Sequence, residues 1–317
     1  MTVLILAAER DFSADRMVRA LQLREVPAAR IDTSWFPRRA VLDAEIRAGR
    51  WMGTIEIGDR VIELETVRSV WCRRPSAFRF STQLSLTERH WCAEEAKFGF
   101  GGVLSSLPVL WVNHPSRNAD AAYKPLQLVT ALRSGLRVPD TLVTNRPESV
   151  RRFAAGGETV AKGLGPPSIL EEGARRAMFT RRLDETDLRD LRGVETTAHQ
   201  FQRWVVKARE ARLIVVGDRL FAVGIEADST AGHIDWRSDY PALRYVRLDP
   251  PADVVTGVIR YCAELGLAFG AFDFVIQPDG EWIFLECNSA GQYGWLESIL
   301  SLPITDVLAD LLASASA

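Results

Sequence analysis

Two acidic residues near the end of the chain are spaced so that they could hold a metal ion. Residues 271–288 (AFDFVIQPDGEWIFLECN) place apolar and aromatic runs on either side of Asp279-Gly280, a dipeptide that readily forms a tight hairpin turn. Pairing outward from that turn gives three opposed pairs: Gln277 with Trp282, Val275 with Phe284, and Asp273 with Glu286. The hairpin therefore sets two carboxylates against each other.

Asn288 extends this acidic pair, because it lies two residues past Glu286 and points to the same face of the strand. Facing carboxylates cost free energy unless something offsets their charge. Two carboxylates and an amide oxygen suit a hard divalent cation, and we predict Mg²⁺ bound by Asp273, Glu286 and Asn288. The alternative is a solvated hairpin with acids on its polar edge, but the apolar and aromatic strands favour a buried one.

Two lysines could bind phosphate groups. Lys162 ends an apolar strand predicted over 158–163, where an ammonium group is costly to bury unless it meets an anion such as a nucleotide phosphate. Lys124 lies on the preceding helix, predicted over 118–134, and could approach the same phosphates. Taken singly, each lysine is more simply interpreted as a solvated surface charge.

Residues 201–205 (FQRWV) form a predicted strand that could act as a hinge between subdomains. The edge of an adenine ring can hydrogen-bond to hinge N–H and C=O groups while apolar side chains cover its faces. Gln202, Trp204 and Val205 would then line the adenine site. An ordinary core strand is the alternative.

The next predicted strand begins within residues 207–212 (KAREAR), where Glu210 and Arg212 share one face. An arginine there can stabilise the charge that develops on a transferred phosphoryl group and can hold a substrate carboxylate. The alternative is a cross-strand surface ion pair, which would contribute little.

The composition bounds the class of protein. A chain of 317 residues can hold a large core and two or three subdomains, and a formal net charge of −2 predicts no general attraction to nucleic acid or to an anionic membrane. Residues 1–8 lack a basic segment and read as a first strand, not a signal peptide, and no apolar run approaches a membrane span. The cysteines form no C-x-x-C pair and the histidines are scattered, which predicts a reduced, cytosolic protein without a zinc site.

The predicted elements divide the chain into three parts, 1–114, 115–194 and 195–317. The first part opens with a strand at 3–8, a helix at 13–25 capped by Ser13 and a strand at 28–32, and it ends where Pro115 breaks the chain. The last part contains a hairpin over 210–223, an irregular segment over 226–247, a helix at 253–265, the acidic hairpin and a helix at 303–313.

The order of these features resembles the ATP-grasp ligases, and most closely the ribosomal peptide maturases that make graspetides, which are macrocyclic peptides closed by side-chain esters or amides. The segments that carry the likeness are 70–75 (VWCRRP), 201–207 (FQRWVVK), 210–212 (EAR), 216–222 (VGDRLFA), 234–237 (IDWR) and 288–292 (NSAGQ). The resemblance covers essentially the whole chain. It implies an α/β (α+β) ATP-grasp fold with an N-terminal α/β subdomain, a small central subdomain and a C-terminal antiparallel-sheet subdomain that carries the metal site.

The resemblance also implies roles for the matching positions. Lys124 and Lys162 would contact the phosphates of ATP, the hinge and Glu210 would help to hold the nucleotide, and Arg212 would stabilise the phosphoryl group and the acyl-phosphate. The expected cofactors are ATP and Mg²⁺, and the expected partner is a precursor peptide with a leader and a core. A homodimer is a further expectation, because similar enzymes form one.

The predicted reaction activates an Asp or Glu side chain of that peptide, which a Ser or Thr hydroxyl or a Lys amine then attacks. The irregular segment with Asp235, Trp236 and Arg237, together with Arg74, would bind the peptide; the mixture of aromatic residue and arginine suits an interface. A plain surface loop is the alternative for this segment. His233 and Glu226 are the candidates for the base that a hydroxyl attacker needs.

Two departures from the family pattern bear on the nucleotide site. Pro166 and Pro167 remove backbone donors from the loop after Lys162, which puts phosphate contacts from that loop in doubt. Arg203 stands in the hinge where such ligases often carry an acid, so an acidic contact from that position is not expected.

Two other functions compete with the peptide maturase. An ATP-grasp carboxylate-amine ligase acting on an amino acid or a protein terminus would share the ATP site and differ in its acceptor. A non-catalytic nucleotide-binding module is the second alternative, which the joint presence of Lys162, Arg212, Asp273, Glu286 and Asn288 does not favour.

Overall fold

A computed structural model describes residues 1–165, 168–171, 174–177 and 179–315. Pro166 and Pro167 lie outside the described residues. The strands are β1 Thr2–Ala7, β2 Ala28–Ile31, β3 Ala40–Arg47, β4 Arg50–Ile57, β5 Arg60–Glu63, β6 Val67–Arg74, β7 Leu110–Val112, β8 Thr141–Thr144, β9 Thr159–Lys162, β10 Ser168–Glu171, β11 Ala174–Ala177, β12 Arg181–Arg182, β13 His199–Arg203, β14 Arg209–Val216, β15 Arg219–Ala227, β16 Leu243–Leu248, β17 Phe269–Ile276 and β18 Trp282–Asn288.

The α-helices are α1 Phe12–Gln22, α2 Leu86–Phe98, α3 Phe100–Ser105, α4 Pro115–Ala121, α5 Lys124–Arg133, α6 Pro147–Ala155, α7 Glu185–Arg189, α8 Thr230–Ile234, α9 Ala252–Leu265, α10 Gly294–Leu300 and α11 Ile304–Ser314. No helix in these described stretches is long and apolar enough to cross a membrane. The mixture of helices with parallel and antiparallel sheets confirms the predicted α/β (α+β) class.

The first subdomain opens with the predicted βαβ unit. Strands β2, β1, β6 and β7 form a parallel sheet in that order, and β3, β4 and β5 form a separate antiparallel sheet. The predicted cap of α1 is wrong: Asp11, not Ser13, caps the helix, and its side chain accepts a hydrogen bond from the amide of Ala14 at 3.0 Å. Aspartate and serine are both common N-cap residues, so residue preference alone does not distinguish Asp11 from Ser13.

The central sheet is antiparallel, with strand order β12, β9, β13, β8. Strand β13 belongs to this sheet although it follows residue 194, so the chain returns to the central sheet before it enters the last one. The helix predicted over 118–134 is two helices, because Tyr123 leaves the helical conformation and Pro125 occupies the first turn of α5. Lys124 therefore starts a helix, where the prediction placed it inside one.

The last sheet is antiparallel, with strand order β16, β15, β14, β17, β18, and it carries an apolar core on each face. On one face, aromatic side chains of β17 and β18 pack against α5 and α9. On the other face, β14 and β17 share a core with β1, α1 and α11, so the N-terminal and C-terminal subdomains are packed together. The segment predicted as irregular over 226–247 includes β16, which the sequence analysis missed.

Candidate active site

A cleft lies between the central sheet and the C-terminal sheet, and it collects most of the predicted site residues. The predicted residues that line it are Lys124, Lys162, Gln202, Trp204, Val205, Glu210, Asp235, Trp236, Arg237, Asp273 and Glu286. Further lining residues that the sequence analysis did not single out include Lys207, Thr180, Val275 and Leu285. Arg212, Asn288 and Arg74 lie outside this lining set.

The acidic hairpin forms with one irregularity. Asp273 pairs with Glu286 as predicted, but the pairs nearer the turn are shifted by one residue: Val275 faces Ile283 and Ile276 faces Trp282. The predicted partners Phe284 and Gln277 are therefore wrong at those two positions. A β-bulge at Leu285 absorbs the extra residue and restores the register at the acidic pair. Leu285 and Glu286 consequently both line the cleft.

Four charged side chains form a row through the acidic pair. Arg212, Asp273 and Glu286 occupy directly paired positions on β14, β17 and β18. The Nη1 atom of Arg212 donates to Oδ1 and Oδ2 of Asp273 at 2.6 and 2.7 Å, and Nζ of Lys124 lies 2.9 Å from Oε2 of Glu286. Each carboxylate thus has one cation on its outer side, which offsets the repulsion between them.

Burial and these partners shift the pKa values of the two carboxylates in opposite directions. Burial raises the pKa of Asp273, and the negative charge of Glu286 adds to that effect, whereas Arg212 only partly opposes it. Burial alone would also raise the pKa of Glu286, but the charge of Lys124 and its hydrogen bond, with the charge of Lys162, outweigh burial and lower the pKa. The surroundings therefore favour the protonated form of Asp273 and the ionised form of Glu286, each relative to the free side chain.

The donor set at this position fits Mg²⁺. Two opposed carboxylates supply hard oxygen ligands, and the Asn288 side chain follows Glu286 on the same face. Asn288 is exposed, and its Oδ1 accepts a hydrogen bond from the amide of Ala290 at 3.1 Å. Within the described stretches, no three His, Cys, Asp or Glu side chains come close enough to hold a metal ion, and Asn288 is the predicted third ligand.

The two predicted phosphate-binding lysines meet at one side of the cleft. Lys162 ends β9, and burial lowers the pKa of its ammonium group although Glu286 and Glu210 favour the charged form. Nζ of Lys124 also donates to the carbonyl of Gly163 at 2.7 Å. The two lysines come from different elements and approach the same acidic pair, so the expectation of a solvated charge does not hold for them.

The hinge strand ends earlier than predicted. Strand β13 stops at Arg203, and Trp204, Val205 and Lys207 line the cleft without belonging to a strand. Nε2 of Gln202 donates to Oγ1 of Thr141 at 3.0 Å, while its buried Oε1 has no hydrogen-bond partner among the described atoms. This amide oxygen of Gln202, a residue that lines the cleft, can accept a hydrogen bond from the polar edge of a planar base.

Arg203 does not replace the missing acid in the hinge. Its guanidinium donates to the carbonyls of Gly157 and Phe153 at 2.5 and 3.0 Å and lies over the Phe153 ring. The side chain is therefore committed to the turn between α6 and β9.

Glu210 pairs with a lysine that the sequence analysis passed over. Lys207 and Glu210 are both 8% exposed, and their side chains form a hydrogen-bonded ion pair in the cleft wall. Burial raises the pKa of Glu210 to about 7, against the lowering effect of Lys207. The i, i+3 spacing of Lys207 and Glu210 is visible in the sequence, but the burial of the pair depends on how the chain folds around it.

The predicted docking residues form part of the cleft wall. Asp235 is 5% exposed and accepts hydrogen bonds from Arg237 at 2.9 and 2.7 Å and from the amide of Thr180 at 3.0 Å. These bonds hold the pKa of Asp235 at about 2, although burial opposes them. Trp236 is buried and stacks on Trp295 with ring centroids 5.8 Å apart, so its ring serves as a wall.

The remaining predicted residues lie away from the lining of the cleft. Nε of Arg74 donates to the carbonyl of Ala290 at 3.0 Å, two residues beyond Asn288. Glu226 forms an ion pair with Arg209 at 3.0 Å. His233 is exposed beside Trp204, with ring centroids 6.3 Å apart.

This fold and this cleft define an ATP-grasp ligase, and comparison with known proteins specifies the family. The family model of the MvdD pre-ATP grasp domain matches residues 2–119. No protein of curated function matches the chain by sequence.

Three solved structures cover nearly the whole of both chains. A RiPP-associated ATP-grasp ligase of Chryseobacterium gregarium, in complex with ADP and a leader and core peptide, superposes with a TM-score of 0.91 at 26% identity over 100% of this chain and 97% of that chain. The macrocyclase MdnC of Microcystis aeruginosa MRC, bound with precursor peptide MdnA, gives 0.87 at 28% identity over 99% of each chain. The macrocyclase MdnB of the same organism gives 0.82 at 30% identity, also over 99% of each chain.

The chain belongs to the ATP-grasp ligases of ribosomal peptide maturation, the graspetide macrocyclases. The predicted family and fold are confirmed.

Proposed function

We propose that this enzyme uses ATP to phosphorylate Asp or Glu side-chain carboxylates of a ribosomal precursor peptide and joins them to Ser or Thr hydroxyls, or to Lys amines, of the same peptide. A carboxylate oxygen attacks the γ-phosphorus and ADP leaves; the hydroxyl or amine then attacks the acyl carbon and phosphate leaves with the carboxylate oxygen. Each ring therefore consumes one ATP and removes one water from the peptide. The observation that carries the proposal is the row of Arg212, Asp273, Glu286 and Lys124 beside the cleft.

The nucleotide site would combine the hinge and the two lysines. Gln202, Trp204 and Val205 line the part of the cleft where adenine would lie, and Glu210 lies in the wall beside them. Lys124 and Lys162 would hold the phosphates, since both ammonium groups approach the acidic pair from outside the C-terminal sheet.

The metal site would be formed by Asp273, Glu286 and Asn288. When Mg²⁺ is bound there it supplies positive charge at the phosphates and lowers the barrier to transfer. Arg212 supplies further positive charge from the protein itself. Its buried guanidinium lies at one end of the row, is held by Asp273, and can shift its hydrogen bonds to a phosphoryl oxygen.

The peptide would bind on the side of the cleft formed by residues 235–237, and Arg74, outside the lining of the cleft, would add a further contact. Asp235 orients Arg237 through two charge-assisted bonds, which presents a guanidinium at the rim of the cleft. We extend the proposal to a division of the chain near residues 114 and 194, with β13 returning to complete the central sheet. We also propose a cytosolic location, which four free cysteines support.

The test is mass spectrometry of the precursor peptide after incubation with enzyme, ATP and Mg²⁺. The peptide encoded beside the gene, rich in Thr or Ser and Asp or Glu near its end, should lose one water for each ADP released. ADP release with a free amino acid as acceptor, and none with the peptide, would instead favour the carboxylate-amine ligase.

A further inference from the structure

The strand that carries two of the proposed metal ligands lies at the edge of its sheet. β18 pairs only with β17 on its inner side, so the backbone groups on its outer side need partners from elsewhere. Near the turn this need is met by the backbone, since the amide of Phe284 donates to the carbonyl of Arg137 at 2.8 Å.

The bulge at Leu285 changes which residues face outward. Up to Phe284 the outward amides belong to even-numbered residues, and past the bulge they belong to odd-numbered ones, beginning with Cys287. The same shift places Glu286 opposite Asp273. Without the bulge, the pairing of Phe274 with Phe284 would continue and set Leu285 opposite Asp273.

Gln127 supplies both missing partners past the bulge. Its side chain is buried, its Oε1 accepts from the amide of Cys287 at 2.8 Å, and its Nε2 donates to the carbonyl of Cys287 at 2.9 Å. Nε2 also donates to the carbonyl of Ala121 at 2.6 Å, so the amide orientation is determined on both sides. The side chain takes the place of a neighbouring strand at this single residue.

A second buried amide holds the chain two residues further on. Nδ2 of Asn113 donates to the carbonyl of Ser289 at 2.9 Å and to the carbonyl of Phe269 at 2.8 Å, and its Oδ1 accepts from the amides of Ala268 and Phe269. The backbone on either side of Asn288 is thus held by side chains from outside the C-terminal sheet. Gln127 and Lys124 lie one turn apart on α5, so one helix contacts both the backbone of β18 and the carboxylate of Glu286.

We infer that Gln127 is a positioning residue that holds the backbone of β18 beyond the bulge and so places Glu286 and Asn288 for metal binding. The inference rests on the proposed metal site. A slip of one residue would turn Glu286 toward the aromatic core that contains Phe272, Phe274 and Phe284, where an ionised carboxylate has no partner. The cost of burying Glu286 selects the observed register, and the two bonds from Gln127 to Cys287 hold the backbone of β18 in place within that register.

The test compares Mn²⁺ binding, with Mn²⁺ as the spectroscopic probe, in the wild type and in Gln127→Met. Methionine keeps the length of the side chain and loses every hydrogen bond to Cys287. Outer partners of metal ligands typically change metal affinity by roughly 10- to 100-fold, and we expect a weakening of Mn²⁺ binding in that range, measured by electron paramagnetic resonance in the presence of ADP. Thr130→Val is the matched control, since Thr130 is buried on the same helix and its hydroxyl has no partner among the described atoms; its Mn²⁺ affinity should stay within twofold of the wild type.

A folded Gln127→Met enzyme with wild-type Mn²⁺ affinity would overturn the inference. Should that variant not fold, Gln127→Asn keeps an amide but is too short to reach Cys287, and the same affinity loss is expected. Hydrogen exchange in the wild type gives an independent answer without any variant or metal: the Cys287 amide should be protected as strongly as amides inside the sheet, and rapid exchange there would contradict a lock. Absence of Mn²⁺ binding by the wild type, with Cys287 protected, would refute the proposed metal site and leave the backbone lock at Cys287 standing.

Discussion

Replacing Arg212 with alanine tests the centre of the proposed mechanism. Arg212 is 6% exposed and makes both of its short bonds to Asp273, which is itself buried next to Glu286. Removal of the guanidinium leaves Asp273 without its ion-pair partner, whereas Lys124 still pairs with Glu286. The same change removes the donor that would stabilise the transferring phosphoryl group.

The magnitude of each effect follows from this geometry. Removing one partner of a buried ion pair costs about 3–5 kcal/mol of stability, because the remaining charge is left uncompensated. Removing a preorganised donor at developing charge lowers turnover by roughly 10²- to 10³-fold. We therefore expect Arg212→Ala to be measurably less stable and to lose at least about 100-fold in kcat/KM for ADP release coupled to peptide dehydration.

The assay pairs an ADP-release measurement with mass spectrometry of the precursor, at a temperature where urea unfolding shows the variant to be folded. Arg209→Ala is the matched control: Arg209 lies on the same strand and forms an ion pair with Glu226 at 3.0 Å outside the cleft. That control should lose at most about 1 kcal/mol and keep its turnover. Near-normal turnover of folded Arg212→Ala would refute the role of this arginine.

Three further predictions concern other members of the cleft. Glu286→Gln should raise the Mg²⁺ concentration for half-maximal ADP release by about 10- to 100-fold, as measured by Mg²⁺ titration, and an unchanged requirement would remove Glu286 from the metal site. Burial raises the folded pKa of Glu210 from 4.5 to about 7, so its protonated form stabilises the fold by up to about 3 kcal/mol below pH 4.5. That contribution is lost as pH rises through 7. Glu210→Gln should therefore flatten the pH dependence of the unfolding free energy, measured with urea, across this window, and an unaltered slope would contradict the shift. The folded pKa of Asp235 is lowered from 3.8 to about 2, so its ionised form contributes about 2 kcal/mol of stability above pH 4, and this contribution disappears as pH falls toward 2. Asp235→Asn should therefore lower the free energy of urea unfolding at pH 7 by the same amount. Equal stability of the variant would show that the bonds of Asp235 contribute nothing.

The acidic pair shows how far local sequence rules reach. The Asp279-Gly280 turn and the residues on either side of it predicted that Asp273 and Glu286 face each other, and they do. The route to that result differed, since simple outward pairing from the turn is shifted by one residue and the bulge at Leu285 compensates. A bulge leaves little trace in a single sequence, because the strand beyond it is held by partners that are distant in the chain, such as the side-chain amide of Gln127.

The positions of the cationic side chains, in contrast, could not be predicted from local sequence. Nothing in the spacing of Lys124, Lys162 and Arg212 reveals that they surround one pair of carboxylates, because they lie on α5, β9 and β14. Likewise, Lys207 and Glu210 have an ordinary i, i+3 spacing, and their burial in the folded chain raises the pKa of Glu210. Burial depends on which residues pack against a side chain, and those residues are distant from it in the sequence.

By itself, the sequence determined the types of side chain available for the chemistry, the turn that opposes two of them, and a pattern specific enough to indicate the graspetide macrocyclases. The tertiary structure decided which cation offsets which carboxylate, where the metal-ligand strand is held, and that Trp236 is a wall of the cleft instead of an exposed contact. The reason is that short-range backbone preferences act between neighbours, whereas charge balance and burial depend on strands and helices that meet only after the chain has folded.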